Sequence, residues 1–427
     1  MHIMVIGTGY VGLVQGACLA SKGHTVTCVD IDEQKVSSLR NGVVPFFEEG
    51  LEELVQQGTA SGALQFALGP EEGFSQMTPE VIFLAVGTPT GDDGSADLSS
   101  FEAATKSLIP FLKEGMILVE KSTVPVGTGK RVQEWLGRTD VFVASNPEFL
   151  REGTAVSDFL NPDRIVVGAD NQSTRDRVAE VYAWCDAPVM TMNRESAELA
   201  KYAANTMLAA RLSLMNEIAN IADRVGANIR EVENVVGADP RIGPKFLRTG
   251  AGFGGSCFPK DVLALEKTGR DLGYESKLIQ PIIEVNKRQA EVFVSKIKEA
   301  YGDLAGVKLA AWGLAFNAKT DDTRESPAIR IIQGLVKLGA EITVYDPAAL
   351  EEAKHDLGDT VVYTEDQWKA LNGAQGLLVL TEWEQFINAD WDKVKELLTK
   401  PKIFDGKHQL PAEKLRDQGF TVIGIGI

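Results

Sequence analysis

Four cysteines and four histidines in 427 residues leave little from which to build a metal site or a disulfide framework. Cys18, Cys28, Cys185 and Cys257 are widely separated and none belongs to a CxxC pair, so any cysteine with a function acts alone. No run approaches the ~18 apolar residues that a membrane-spanning helix needs. No lysine or arginine precedes Lys22, and the opening Met1-His2-Ile3-Met4-Val5-Ile6 reads as a first strand, not a secretory signal. The expectation is a reduced, cytoplasmic protein. Positive charge is scarce as well, with 43 lysines and arginines against 60 aspartates and glutamates and a net charge of −17. That balance excludes a non-specific nucleic-acid binder, which needs a basic face to displace counterions from phosphate.

Glycine is the residue in excess, at 41 of 427 against a usual ~7%. Such a surplus points to tight turns or to backbone that something must approach closely. At ~150 residues per domain the length suggests two or three domains. The N-terminal third alternates β-rich runs (Ile3–Ile6, Thr25–Asp30, Val81–Val86, Ile117–Glu120, Val141–Ala144, Arg164–Val167) with helical stretches. This is the pattern of βαβ units under a mostly parallel sheet. From Asn193 to Val225 there is no proline or glycine, and Ala204, Leu208, Met215, Ile218, Ala222 and Val225 form one apolar seam. Met207, Leu214 and Ile221 make a second stripe, so this long helix should be covered on more than one side. The alternation resumes with Val307–Trp312, Ile342–Tyr345, Gly376–Leu380, Lys402–Phe404 and Thr421–Ile425. The predicted fold is α/β: two doubly wound Rossmann-like domains, residues 1–192 and 301–427, joined by a long central helix and a helical middle domain, residues 193–300.

Chemistry begins where Gly7-Thr8-Gly9-Tyr10-Val11-Gly12 follows the first strand and opens a helix. In a dinucleotide fingerprint Gly7 makes the tight turn, Gly9 lets the pyrophosphate approach, and Gly12 permits close helix packing. The helix N-terminus offers its unpaired amides to the phosphates. Asp30, at the end of the second strand, stands where an acid binds the ribose hydroxyls and repels a 2′-phosphate, which selects NAD over NADP. Three further strand ends carry polar turns: Gly87-Thr88-Pro89, Lys121-Ser122-Thr123-Val124-Pro125, and Asn146-Pro147-Glu148-Phe149-Leu150-Arg151-Glu152-Gly153. A doubly wound sheet places its ligands at that edge. Farther on, Gly252-Phe253-Gly254-Gly255-Ser256-Cys257-Phe258-Pro259-Lys260-Asp261 sets a cysteine in a glycine-rich turn with a cation three residues later. Such a thiol is accessible and can be held partly as thiolate. The other three cysteines read as inert. Lys201 and Asn205, four apart on the long helix, share a face.

These residues resemble the nucleotide-sugar dehydrogenases, the UDP-glucose/GDP-mannose dehydrogenase family. The likeness runs through GTGYVG, Gly87-Thr88-Pro89 with Asp97-Leu98-Ser99, Ser122-Thr123-Val124-Pro125, NPEFLREG, Asn161-Pro162-Asp163-Arg164, Glu198 to Asn205, Phe246-Leu247, GFGGSCFPKD and Thr320 to Ser326. It implies oxidation of a sugar C6 alcohol to a carboxylate with two NAD in succession, with UDP-glucose as the substrate. Cys257 would form a thiohemiacetal and then a thioester. Lys201 would stabilise the developing alkoxide and oxyanion, and Asn205 would position the same group or the hydrolytic water. Asp261 would act as, or orient, the general base, Glu148 would assist thioester hydrolysis, and Thr123 would hold a water. Cofactor contacts implied by the resemblance are Val11, Asp30, Lys35, Thr88, Thr123, Glu152, Lys260 and Arg324, beside the glycines of the first turn. Sugar-nucleotide contacts fall on Glu148, Phe149, Leu150, Arg151, Glu152, Lys201, Asn205, Phe246, Leu247, Arg248, Thr249, Gly250 and Gly254. The C-terminal domain would bind the uridine nucleotide and the central helix would form a homodimer, with Arg241 crossing to the partner's site. No metal, nucleic acid or membrane partner is implied.

The sequence departs from the family at two points. Gly313-Leu314-Ala315-Phe316 is followed by Asn317 where relatives usually have a lysine on the sugar nucleotide, and Lys319 lies two residues on. Asp405-Gly406-Lys407-His408 stands where relatives usually have Asp-x-Arg-Asn. One lost charge-assisted contact costs about 1.5–3 kcal/mol if nothing replaces it, so restoring a lysine at 317 is expected to tighten substrate binding. GDP-mannose enzymes typically have leucine at the position of Phe258, and N-acetyl-hexosamine enzymes tend to lack the Pro259-Lys260-Asp261 run. A non-catalytic nucleotide-sugar sensor would have no need of the thiol.

Overall fold

The computed structural model describes residues 1–91 and 93–427. The chain divides into two compact units: Met1–Ala204 with Ala264–Tyr274, and Asn205–Leu263 with Glu275–Ile427.

The first unit is built on eight strands: β1 (His2–Ile6), β2 (Thr25–Asp30), β3 (Leu64–Leu68), β4 (Val81–Leu84), β5 (Ile117–Glu120), β6 (Phe142–Ser145), β7 (Ile165–Ala169) and β8 (Val189–Met192). Their order is β3-β2-β1-β4-β5-β6-β7-β8. All neighbours pair in parallel except β6 and β7, which are antiparallel. Successive side chains of a strand point to opposite faces. On β1 this sends Ile3 and Val5 into one apolar layer and Met4 and Ile6 into another. Helices must therefore cover both faces, as parallel sheets require.

The second unit repeats the plan with β9 (Lys308–Trp312), β10 (Glu341–Tyr345), β11 (Val362–Tyr363), β12 (Leu377–Val379), β13 (Lys402–Asp405) and β14 (Thr421–Ile423). The order β11-β10-β9-β12-β13-β14 matches that of β3 to β6 around β1, and every pair is parallel. Leu309 and Ala311 face one layer, Ala310 and Trp312 the other.

The strands expected from the sequence are present, with ends shifted by up to two residues. The sequence pattern missed β3, β8 and β11, all at sheet edges. An edge strand has less to bury: β8 is mostly exposed and β11 has two residues. The long helix runs over Arg194–Val225. Met215 and Ala222 of its first seam are buried, but Val225 at its end is 70% exposed, and Met207, Leu214 and Ile221 of the second stripe are 65%, 59% and 55% exposed. The expected second covering is not supplied by this chain. No helix among the described residues is long and apolar enough to cross a membrane.

Candidate active site

The first turn has the geometry that its glycines predict. Gly7 takes φ +98°, and a Cβ there would lie 2.7 Å from the Ala85 carbonyl oxygen. A Cβ on Gly12 would collide with the Gly7 carbonyl oxygen, whereas one on Gly9 would meet nothing within 4 Å. Space is thus open above Gly9, at the start of the helix Tyr10–Ser21, whose N-cap has no side chain to occupy its amides. Asp30 accepts from the Thr8 amide at 2.8 Å and the Thr8 hydroxyl at 2.6 Å, and Lys35 lies 3.7 Å away. Burial alone would raise the Asp30 carboxyl, but the Thr8 bonds, the Asp32 amide and Lys35 hold it below the ordinary range. An ionised carboxylate at the end of β2 and an unobstructed backbone at Gly9 fit a dinucleotide with free ribose hydroxyls. The Thr88 hydroxyl donates to the Thr123 carbonyl oxygen at 2.8 Å, which joins the turns after β4 and β5.

In the same unit the loop after β6 and the long helix meet through a buried ion pair. Lys201 Nζ donates to Glu148 Oε1 at 2.7 Å, with Lys201 2% exposed. Burial pushes the Glu148 carboxyl up, but Lys201, the Leu150 amide and Lys121 outweigh it and hold it below the usual carboxylate range. Phe149 lies under the Arg164 guanidinium at 3.9 Å, with Lys201 Nζ 5.5 Å from its ring centroid. Arg151 forms a two-armed pair with Asp158, and Glu152 is half-buried. Sequence reasoning placed Lys121 in a polar turn at the sheet edge without giving it a role; it is buried, donates to Asn146 Oδ1 at 3.0 Å, and is pushed down to about 7 by that burial. Sequence reasoning did not find Glu48, which accepts from the Gly153 amide at 2.8 Å and so holds the end of the Glu148–Glu152 loop. Glu48 lies in no motif with chemical spacing.

The second unit holds the thiol loop. Cys257 directly precedes the helix Phe258–Asp271, a position where backbone amides favour negative charge. Asp261, in the first turn and 0% exposed, accepts from Asn205 Nδ2 at 2.6 Å and from Lys260 Nζ at 2.7 Å. Gly255 has φ +87°, and a Cβ on it would lie 2.8 Å from the Phe316 ring; one on Gly254 would overlap the Glu325 carbonyl oxygen. Asn286 clamps Phe253, donating to its carbonyl and accepting from its amide at 2.8 Å each. Cys18 and Cys28, by contrast, are buried and raised by burial to about 12.

Phe246 adopts φ +59°, a left-handed conformation that costs a non-glycine residue energy and that clusters at functional sites. Its neighbour Leu247 is buried. Glu233 Oε1 accepts from the Thr249 amide and hydroxyl at 2.8 and 2.7 Å, Asn216 receives the Gly250 amide at 2.9 Å, and Arg248 donates to Gln409 at 2.7 Å. Arg241 is exposed and bonds its own Asp239, as Arg324 bonds Asp322. The two departures from the family pattern meet in space: Lys407 Nζ donates to the Phe316 carbonyl at 2.6 Å and to Asn317 Oδ1 at 3.2 Å, with Glu382 at 3.2 Å. Asn317 is thus the hydrogen-bond partner of the cation at 407, the position where relatives usually have an arginine. His408 is buried and kept neutral, pushed down to about 3 by burial and nearby arginines.

Three family descriptions match in succession. The NAD binding domain of the UDP-glucose/GDP-mannose dehydrogenase family covers residues 1–186, the central domain 195–288 and the UDP binding domain 310–412. Curated relatives match over the full length. The UDP-glucose 6-dehydrogenase TuaD of Bacillus subtilis (strain 168) is 43% identical over 99% of this chain and 93% of its own. The UDP-glucose 6-dehydrogenase of Rhizobium meliloti (strain 1021) is 42% identical over 100% and 99%. Among solved structures, a UDP-glucose dehydrogenase from the hyperthermophilic archaeon Pyrobaculum islandicum superposes with a TM-score of 0.89 at 38% identity, covering 97% of this chain and 95% of that one. A dinucleotide turn, a cysteine loop and a second doubly wound domain therefore occur here in the family's own order, and the chain belongs to the UDP-glucose/GDP-mannose dehydrogenase family as an NAD-dependent oxidoreductase.

Proposed function

We propose that the protein oxidises UDP-glucose twice at C6, giving UDP-glucuronate from UDP-glucose, two NAD and water. The observation that carries the reading is Cys257 at a helix N-terminus, four residues before an Asp261 that is bonded to both Asn205 and Lys260. An alcohol dehydrogenase stopping at the aldehyde would have no use for the thiol.

NAD would be held by Gly7, Gly9, Val11, Gly12, Asp30, Lys35, Thr88, Thr123, Glu152, Lys260 and Arg324. Bound NAD supplies the acceptor for the hydride lost at each oxidation. Asp261 takes the C6 hydroxyl proton through water, and the Lys201 ammonium stabilises the negative charge that develops on that oxygen. The Cys257 thiolate then adds to the aldehyde carbon, a C–S bond forms, and the carbonyl oxygen becomes the oxygen of a thiohemiacetal. Asn205 and Lys201 hold that oxygen while the second hydride departs and a thioester remains. Water, oriented by Glu148 and Thr123, adds to the thioester carbon; Asp261 takes its proton directly or through a further water. The C–S bond breaks, returning the thiol and releasing the carboxylate. The uridine diphosphate would lie on the C-terminal domain, and Phe246 to Gly250, Gly254, Asn317 with its partner Lys407, Phe149, Leu150 and Arg151 would contact the sugar nucleotide. A compartment such as the cytoplasm would keep the thiol reduced. Met207, Leu214 and Ile221 form the face through which the chain would pair as a homodimer, bringing Arg241 to the partner's site.

With UDP-glucose and NAD, absorbance should record two NADH per sugar consumed; a yield of one would sink the thioester route. Cys257→Ser should lose acid formation, and full activity in it would refute the nucleophile. GDP-mannose and UDP-N-acetylhexosamines should turn over poorly beside UDP-glucose, and faster turnover of either would reassign the substrate.

A further inference from the structure

Two carboxyl groups that the chemistry above does not use face each other inside the first unit. Glu120, at the end of β5, is 1% exposed, and among the described residues neither of its buried oxygens has a hydrogen-bond donor. The carboxyl of Glu198, on the long helix one turn before Lys201, shares the space over Gly129 with it. Glu198 already receives the Gly127 amide at 2.5 Å and the Gly129 amide at 2.8 Å. It thereby caps the helix Thr128–Leu136, whose own N-cap, Gly127, has no side chain. A Cβ on Gly129 would lie 3.1 Å from Glu120 Oε2 and 3.3 Å from Glu198 Oε1, so the glycine makes room for both groups. Arg194 offsets the clash only in part: its charge draws the Glu120 carboxyl down, but its guanidinium donates to the Gly129 carbonyl at 3.0 Å and to Asp170 at 2.7 Å and bonds neither carboxyl group. Glu195, on the same helix, adds a further negative charge. Two ionised carboxylates cannot share a dry site, and a buried acceptor pair without a donor is costly. One proton on Glu120, donated to Glu198, removes both penalties.

We propose that Glu120 is a positioning residue that works as a carboxylic acid, clasping the Glu198 carboxylate and so fixing the Ser122–Gly129 loop to the helix turn that carries Lys201. That loop bonds the turn after β4 through the Ser122 hydroxyl to the Val86 carbonyl at 2.6 Å and through Thr88 to Thr123. Loosening the clasp therefore loosens the side of the cofactor site formed by Thr88 and Thr123.

Burial, and then the charge of Glu198, hold the Glu120 carboxyl well above its ordinary value. The sign follows: the clasp's contribution to stability is complete below the unfolded value of ~4.3 and is lost as pH rises towards the raised folded value. Glu120→Gln keeps a donor for Glu198 and has no proton to lose. Melting curves and NADH fluorescence titrations of wild type, Glu120→Gln and Glu120→Ala, at about pH 5 and about pH 9, test the clasp. Glu120→Gln should melt with wild type at the lower pH, melt several degrees above it at the higher, and bind NADH as wild type does at the lower. Glu120→Ala should bind NADH about tenfold more weakly at both. A gap between Glu120→Gln and wild type that does not change with pH overturns the proposal, as does a Glu120→Gln protein that binds NADH no better than Glu120→Ala. If the alanine variant does not fold, the pH comparison of the other two decides alone. Neither readout involves the sugar or the thiol, so the result is independent of the substrate proposed above.

Discussion

Lys201 and Glu148 pair where water cannot screen them, so each is needed to keep the other's charge tolerable. Lys201→Met would strand the carboxylate and cost about 3–5 kcal/mol in a urea unfolding titration. The wild-type pair should also fail in acid. Glu148 sits below its ordinary value, so its contribution is present above ~4.3 and disappears as pH falls through the lower folded value. Lys201→Met should lack that acid limb, and an unchanged limb would place its origin elsewhere. At Asn317 a contact argues for the opposite of the outcome expected from sequence. With Lys407 Nζ 3.2 Å from Asn317 Oδ1, a lysine at 317 adds a second ammonium to one small site. Repulsion of about 1 kcal/mol, after discounting for Glu382 and solvent, should raise the Michaelis constant for UDP-glucose several-fold. A lower constant in Asn317→Lys would show that the two ammonium groups coexist. Cys257, Gly7 and Gly255 were legible in the sequence because turn chemistry is local. The Asn317–Lys407 contact spans 90 residues of chain, and no spacing rule reaches that far.

At the level of the element, the thiol loop depends on glycine for shape as much as on cysteine for chemistry. Gly255→Ala puts a methyl group 2.8 Å from Phe316 in a left-handed backbone, two penalties together worth about 2–4 kcal/mol. Activity should fall even though no reacting group is removed, while the melting temperature drops by several degrees. An alanine variant with wild-type turnover would mean that the loop reshapes without cost. Central strands such as β1 and β9 were legible because both faces are buried and the apolar run is continuous. The edge strands β3, β8 and β11 were not, because β11 has two residues, β8 is four residues long and mostly exposed, and β3 is a short apolar run that periodicity alone does not distinguish from a helix segment. The long helix was legible as a helix. Which of its apolar stripes lies under other elements was not, since Met215 and Met207 look alike until packing distinguishes them.

For the whole molecule the open question raised by that helix is its partner. Met207, Leu214 and Ile221 repeat every seven residues and stay exposed, a stripe that a second copy of the chain would cover. Leu214→Glu should convert a dimer to a monomer, halving the mass measured by light scattering, and an unchanged mass would move the interface elsewhere. The net charge of −17 is a poor guide to ligands that are themselves anionic. Each cation proposed to meet them already has a carboxylate at hand: Lys35 has Asp30, Lys201 has Glu148, Arg241 has Asp239, Lys260 has Asp261 and Arg324 has Asp322. The exposed pairs at Arg241 and Arg324 can exchange a carboxylate for a phosphate at little cost, because solvent already screens them. The buried pair at Lys201 cannot.

The sequence by itself determined the two doubly wound domains, the dinucleotide turn and the cysteine loop. Each is written in residues that are neighbours along the chain, where glycine, strand periodicity and helix starts act over a few positions. Only the tertiary structure decided which charges are paired and which are buried. Lys201 meets Glu148 across 53 residues, Asn205 meets Asp261 across 56, and Glu198 reaches back to Gly127 across 71. Charge state depends on burial and on the nearest opposite charge, and both are properties of the packed chain.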